Sequence, residues 1–352
     1  MNIIRRGVQF AGCSTTALIL ALSLPALGQE TYTTDHIRIT PGSIDRAQAA
    51  DARDLLTHSM PAHTQAGKNA RAVELARRLQ SGGEEIKPAT SAAALPGFYP
   101  ADLDYSHGKV VTTAQFHNVF VNCTAIATCW GAPGLFLSDL GKSNFIHVTD
   151  QYVGTTANNR YSLVTGAYAT YSVYGNTLYT EDLFVILHAA AKALKGTGYG
   201  HIYNIFLPKG TDTCFDQTAV CYSPDNPADF YFCAYHGSVT FSDIGHVLFT
   251  VEPYQDVPGC YAAKPNPNSQ LIDSTNSVLS HETFETITDP DPPSGWVNFS
   301  SLLEEGNEIG DECVPLGDST AAFLDPTFPI NGKKYEVQLE YSNKYHACVS
   351  FP

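Results

Sequence analysis

The sequence predicts an α+β fold stapled by disulfides, and three observations predict it. A helix over 181–194 is followed by a run of strands, a second helix over about 274–287 and an acidic segment over 304–312. Helices and strands in blocks, without strict alternation, argue for α+β over α/β. Eight cysteines follow position 95: Cys123, Cys129, Cys214, Cys221, Cys233, Cys260, Cys313 and Cys348. An even set in an exported chain reads as disulfides, and the spacing lacks the paired CxxC of a structural zinc site. From Leu95-Pro96-Gly97-Phe98 onward the composition turns aromatic, β-branched and glycine-rich, which marks the start of the folded body.

The start of the chain reads as a secretory signal. Arg5 and Arg6 supply the positive region, residues 17–24 the apolar core, and Ala26 and Gly28 the small residues before a cut at Gln29. That core is too short for a membrane span, which needs about 20 apolar residues. The expected organisation is a signal over 1–28, a pro-segment or flexible N-terminal arm over 29–95, and a disulfide-containing domain over 96–352. Residues 29–95 have no cysteine, and a helix is expected within them over 68–80.

Within the body, strands are expected over 110–113, 118–121, 145–148 and 161–164. Thr180 is the expected cap of the 181–194 helix, with acidic residues in its first turn and Lys192 in its last. Further strands are expected over 201–207, 231–241 and 246–253, with a terminal one over 334–341. Short loops make Cys123–Cys129 and Cys214–Cys221 the simplest pairings, and Cys313–Cys348 would tie down the C-terminus.

The chain carries 20 Lys and Arg against 35 Asp and Glu. Residues 30–95 are balanced in charge, so the acidic excess lies in the body. That excess argues against nucleic acid and anionic membranes as partners, and it suits cation binding. Chemistry concentrates in Ser280-His281-Glu282-Thr283-Phe284-Glu285. On a helix, positions i and i+4 share a face, so His281 and Glu285 can hold one metal, with Glu282 beside them as general base. This is the HExxH zincin pattern with Glu in place of the second His. A third ligand is expected downstream: Glu308 first, then Asp289, Asp291 and Asp311. Two carboxylates and one imidazole make a hard, anionic site that takes Zn²⁺ and also admits Ca²⁺. His236 and His188 read as structural residues of a strand and a helix. The lipase-type G-x-S-x-G is absent from the sequence.

Several motifs together resemble the exordium/phosphate-induced protein family, specifically its exported bacterial members. They are Leu95-Pro-Gly-Phe-Tyr-Pro-Ala-Asp102, Phe232-Cys-Ala-Tyr-His236, Ser280-His-Glu-x-x-Glu-x-x-Thr-Asp-Pro290, Gly295-Trp296, Asn307-Glu-Ile-Gly-Asp-Glu-Cys313 and Tyr335-x-Val-Gln-x-Glu-Tyr-Ser-Asn343. The resemblance implies an extracellular or cell-wall location and a zincin-like core with a metal site, and it points to Glu308 and Asp311 as functional. The resulting expectation is a secreted zinc peptidase-like hydrolase acting on an extracellular protein or peptide. The alternative is a non-catalytic protein, associated with a cell-wall component, whose acidic or metal site is structural.

Overall fold

Alternation of side chains along the strands decides how this body is layered. The computed structural model describes residues 34–64, 66, 101–215, 220–262, 266–299, 307–314 and 325–352. The elements that position the site begin with β1 (His36–Ile39), α1 (Ser43–Ala50) and β2 (Arg53–Pro61). They continue with β3 (Ala114–Val121), α2 (Pro133–Leu140), β4 (Tyr161–Leu163), β5 (Gly166–Ala169), α3 (Thr180–Leu194) and β6 (His201–Phe206). The hairpin β7 (Phe232–Phe241) and β8 (Gly245–Glu252) precedes the long helix α4 (Gln270–Thr288).

One mixed sheet runs in the order β1-β5-β3-β6-β8-β7-β2, with β4 beside β3. The first five strands are parallel, β7 is antiparallel to β8, and β2 closes the edge antiparallel to β7. Successive strand residues point to opposite faces. Val119, Val121, Tyr203, Ile205, Val247 and Phe249 join one core with α3, while Phe116, Phe120, Ile202, Phe206 and Leu248 join a second core with α2 and α4. Each large apolar side chain buried this way contributes about 1.5–3 kcal/mol.

The α4 face of the sheet is not apolar throughout. Asn204 Nδ2 donates to Asn118 Oδ1 (2.9 Å), and Thr250 Oγ1 donates toward both Asn204 Oδ1 (3.2 Å) and Glu252 Oε1 (2.8 Å). This polar ladder crosses β3, β6 and β8 beneath the helix. α4 itself starts where the Ser269 hydroxyl accepts the Ile272 N–H (3.2 Å). It ends at Asp289, ahead of Pro290, and is buried from Asp273 to Thr288 although most of those side chains are polar. Phe284 anchors it against Phe145, ring centroids 4.7 Å apart.

All four disulfides form: Cys123–Cys129, Cys214–Cys221, Cys233–Cys260 and Cys313–Cys348. Among the described residues no helix is long and apolar enough to cross a membrane. The signal over 1–28 and the helix expected over 68–80 lie outside the described residues.

Five expectations require correction. Part of the expected N-terminal arm is sheet: β1 and β2 occupy its two edges, and α1 packs on α3, where His188 bridges Asp45 (2.8 Å) and Asp243 (2.9 Å). Charge balance and lack of cysteine did not reveal this, because a short edge strand needs only a ladder partner. Residues 110–113 lead into β3 without joining it, and 145–148 form a 3₁₀ turn (Phe145–Thr149). The terminal strand divides into Lys333–Glu336 and Glu340–Ser342, which pair in separate hairpins. Helix α3 begins one residue earlier than expected: Asp182 accepts the Tyr179 N–H (3.2 Å), and Thr180 Oγ1 donates instead to the Phe215 carbonyl.

Candidate metal centre

Three histidines from three elements converge with the acids of α4 and of the 307–314 segment. His281 and Glu285, one helical turn apart, face the sheet. β7 brings His236 to them, and β2 brings His58, which sits directly opposite His236 in the ladder. The 307–314 segment adds Glu308 and Asp311. Every one of these side chains is at most 1% exposed.

Two of the ring orientations follow from carbonyl partners. Gln338 Nε2 donates to the Gly310 carbonyl (2.6 Å), so its Oε1 faces His281 Nδ1 (3.3 Å) and that nitrogen carries the proton. His236 Nε2 lies 3.1 Å from the Asp289 carbonyl, which can only accept. In the neutral rings the lone pairs of His281 Nε2 and His236 Nδ1 therefore point at carboxylates. His281 Nε2 is 3.0 Å from Glu285 Oε1, and His236 Nδ1 is 3.3 Å from Glu282 Oε2 and 3.5 Å from Glu285 Oε2. Lone pairs facing carboxylates at these distances need a proton or a cation between them. For ligands about 2.0–2.1 Å from a tetrahedral zinc, neighbouring donors lie about 3.3 Å apart, which these separations match.

Orphaned oxygens make the same case. Both oxygens of Glu308 and of Glu340, with Glu282 Oε1 and Asp311 Oδ1, are buried without a hydrogen bond. Among the described residues two triads satisfy metal-ligand proximity, His58–Glu285–Asp311 and His236–Glu282–Glu285; Glu285 belongs to both, while His281 and Glu308 adjoin them without belonging to either. The donor set fits a divalent cation.

Burial pushes Glu282 and Glu308 well above the usual carboxylate range, reinforced by their acidic neighbours. Glu252 rises to about 8 for the same first reason. Burial alone would also raise Glu285, but with the imidazoles protonated in place of a cation, the His281 charge and the bonds from both histidines hold it far below the normal range. The site thus concentrates negative charge on Glu285.

The expected residues His281, Glu282, Glu285 and Glu308 all meet here. Glu308 Oε1 lies 3.5 Å from His58 Nδ1, and its Oε2 lies 3.5 Å from His236 Nε2. Asp311 enters more directly than its place behind Glu308 suggested: Oδ2 is 2.5 Å from His58 Nε2, Oδ1 is 3.9 Å from His281 Nε2, and its N–H donates to Glu285 (3.2 Å). Asp289, like His281 and Glu308, belongs to neither triad, and its Oδ2 is buried without a hydrogen bond. Its Oδ1 accepts the Gly295 N–H (2.7 Å) and its carbonyl orients His236, so it shapes the turn and the imidazole. Asp291 points elsewhere, to His246 (3.0 Å) and Tyr199 (2.5 Å). His236 is part of the cluster and not merely structural, and His58 was missed. The alternating Leu56-Thr57-His58-Ser59-Met60 was the signal for a strand there, but nothing in it named the partner strand.

Gly310 has a definite reason to be glycine. A Cβ there would lie 2.4 Å from His281 Nδ1, so the backbone can pass the imidazole only without a side chain.

No family model matches the chain, and no curated protein matches it. A solved chain described as "Structure of a chaperone-substrate complex" is similar at 12% identity with a TM-score of 0.19, covering 51% of this chain and 27% of that one. A likeness that weak carries no argument about fold or function.

Proposed function

We propose that the protein is a secreted, metal-dependent hydrolase, a zinc peptidase-like enzyme, and that it groups with the exported exordium-like proteins. One observation carries the reading: Glu285 lies at ligand-shell spacing from two buried sets of donors, His236 with Glu282 and His58 with Asp311, and His281 Nε2 stands 3.0 Å from Glu285 Oε1. His281 and Glu285 hold the cation, with His236, Glu308 and Asp311 as the further donors. Bound there, Zn²⁺ supplies Lewis acidity toward a carbonyl and toward water. Glu282, next to His281 in sequence, takes the proton of the attacking water and returns it to the leaving amine. Water then adds across the amide, giving a carboxylic acid and an amine. Gln338 and the Asp289 carbonyl keep the two imidazoles in their ligand tautomers. Four disulfides in the folded body support an oxidising, extracellular destination.

A second reading rests on the excess of carboxylate over imidazole in the cluster. Such a set suits Ca²⁺ in a structural role, and the protein would then be a non-catalytic extracellular or wall-associated component.

Metal analysis of the purified protein, joined to cleavage of a labelled unfolded protein, separates the two. About one equivalent of zinc and chelator-sensitive cleavage are expected, with Glu282→Gln keeping the metal and losing at least 100-fold in kcat. Calcium alone, with no cleavage, overturns the enzyme. Loss of metal in Glu282→Gln makes Glu282 a ligand and removes it as the base.

A further inference from the structure

The metal centre is bordered by an edge strand that no disulfide ties to the rest of the body. β2 lies on the outer edge of the sheet, antiparallel to β7, and its ladder is interrupted by irregularities near both ends. Residues 53–56 are exposed, with Leu55 and Leu56 each 38% accessible. All four disulfides fall between Cys123 and Cys348, so none reaches β2.

Three contacts make this edge a fitted seat for an extended backbone. Gly237 on β7 faces Thr57, and a Cβ there would lie 2.1 Å from the Leu56 carbonyl, so the position is kept bare where the strand passes. The Met60 backbone lies close enough to Glu282, the proposed base, to act on its carboxyl. His58 projects into the cluster against Asp311 (2.5 Å) and Glu308 (3.5 Å). With β2 seated, His281, Glu282, Glu285 and Glu308 are all 0% exposed, and a protein substrate has no path to them.

We infer that β2 is an intramolecular plug, and that the β7 edge it covers is the binding site for an extended peptide segment. Such a segment would pair with β7 through its main chain, as an added strand does, and would lay one of its peptide bonds where His58 now stands. The peptide as substrate rests on the hydrolase reading; the plug does not, because it can be followed through access to the metal.

The test uses the full chain loaded with Zn²⁺. It measures the rate at which excess chelator strips the metal and the rate of cleavage of a labelled unfolded protein. Arg53 and Thr240 face each other across the ladder, away from the cluster, so Arg53→Cys with Thr240→Cys staples the strand in place. Thr57→Pro weakens the strand while leaving His58 intact. The staple should slow metal stripping at least tenfold and suppress cleavage, whereas Thr57→Pro and His58→Ala should each speed both at least tenfold. A staple confirmed by mass that changes neither rate overturns the proposal. So does a His58→Ala variant that loses both metal and cleavage, since His58 would then be a permanent ligand. If stripping follows the expected order and no variant cleaves, the plug stands and the hydrolase reading falls.

Discussion

Helices α3 and α4 pack on opposite faces of one sheet, and they are buried by opposite means. From Leu183 to Ala191, α3 buries apolar side chains and a single histidine held between two aspartates. α4 is buried just as deeply, yet it carries Asp273, Ser274, Asn276, Ser280, His281, Glu282 and Glu285 into the interior. The α3 side stabilises the fold through area removed from water. The α4 side opposes it, since each buried carboxylate without a partner costs free energy. Where burial is unfavourable and still retained, the residues are held for chemistry more than for stability.

Exchanging the characters of the two sides should produce the largest effect. Ala190, fully buried on α3, has no polar partner to offer. Ala190→Asp should destabilise by more than about 3 kcal/mol or prevent folding. Replacing a buried acid on the other side, in Glu340→Gln, should leave the metal-free protein unchanged or about 1 kcal/mol more stable, because burial already disfavours the charged form of Glu340. Urea unfolding of both variants decides it; equal losses would mean the two faces do not differ in kind.

A smaller effect is expected at Gly310. The added methyl of Gly310→Ala meets His281 and turns the ring away from Gln338. Metal affinity should fall about 10–100-fold, the usual range for loss of a supporting contact, with the melting temperature of the metal-free protein nearly unchanged. Unaltered affinity in a chelator competition would remove His281 from the ligand set.

The smallest effect concerns pH. Burial raises Asp289 to about 7, so the folded chain keeps a proton that the unfolded chain releases near pH 4. Between about pH 4 and 7 the native state binds more protons, and the stability linked to this group falls as pH rises. The slope is at most about 1.4 kcal/mol per pH unit. Asp289→Asn, whose side-chain oxygen can still accept the Gly295 N–H, should flatten the profile of the metal-free protein over that window. An unchanged slope would show that Asp289 is already ionised at low pH.

The α3 side was legible in the sequence because its period is regular: the helix over 180–194, the strand over 201–206 and the β7–β8 hairpin declare themselves through apolar alternation. On the α4 side, the i, i+4 spacing gave His281 and Glu285, and the downstream acids gave Glu308 and Asp311. What could not be read was which distant strand lies across from the helix. His236 looked like an ordinary strand histidine and His58 belonged to a segment expected to stand apart, because cross-strand register is fixed by the whole sheet. Asp289 was chosen by spacing, which could not reveal that its Oδ1 accepts the Gly295 N–H and its carbonyl orients His236.

The bridge between Cys313 and Cys348 lies two residues beyond Asp311 and joins its turn to the last hairpin, whose first strand holds Glu340 and follows Gln338. Asp311 supplies acid to the cluster, and Gln338 sets the tautomer of His281. Both therefore depend on a bond that forms only where thiols are oxidised. A chain with this bridge reduced lacks the covalent tie that sets the acid turn against the imidazole. Reducing that single bridge should therefore loosen the acid turn and the imidazole together, which couples the geometry of the cluster to the thiol chemistry of its surroundings.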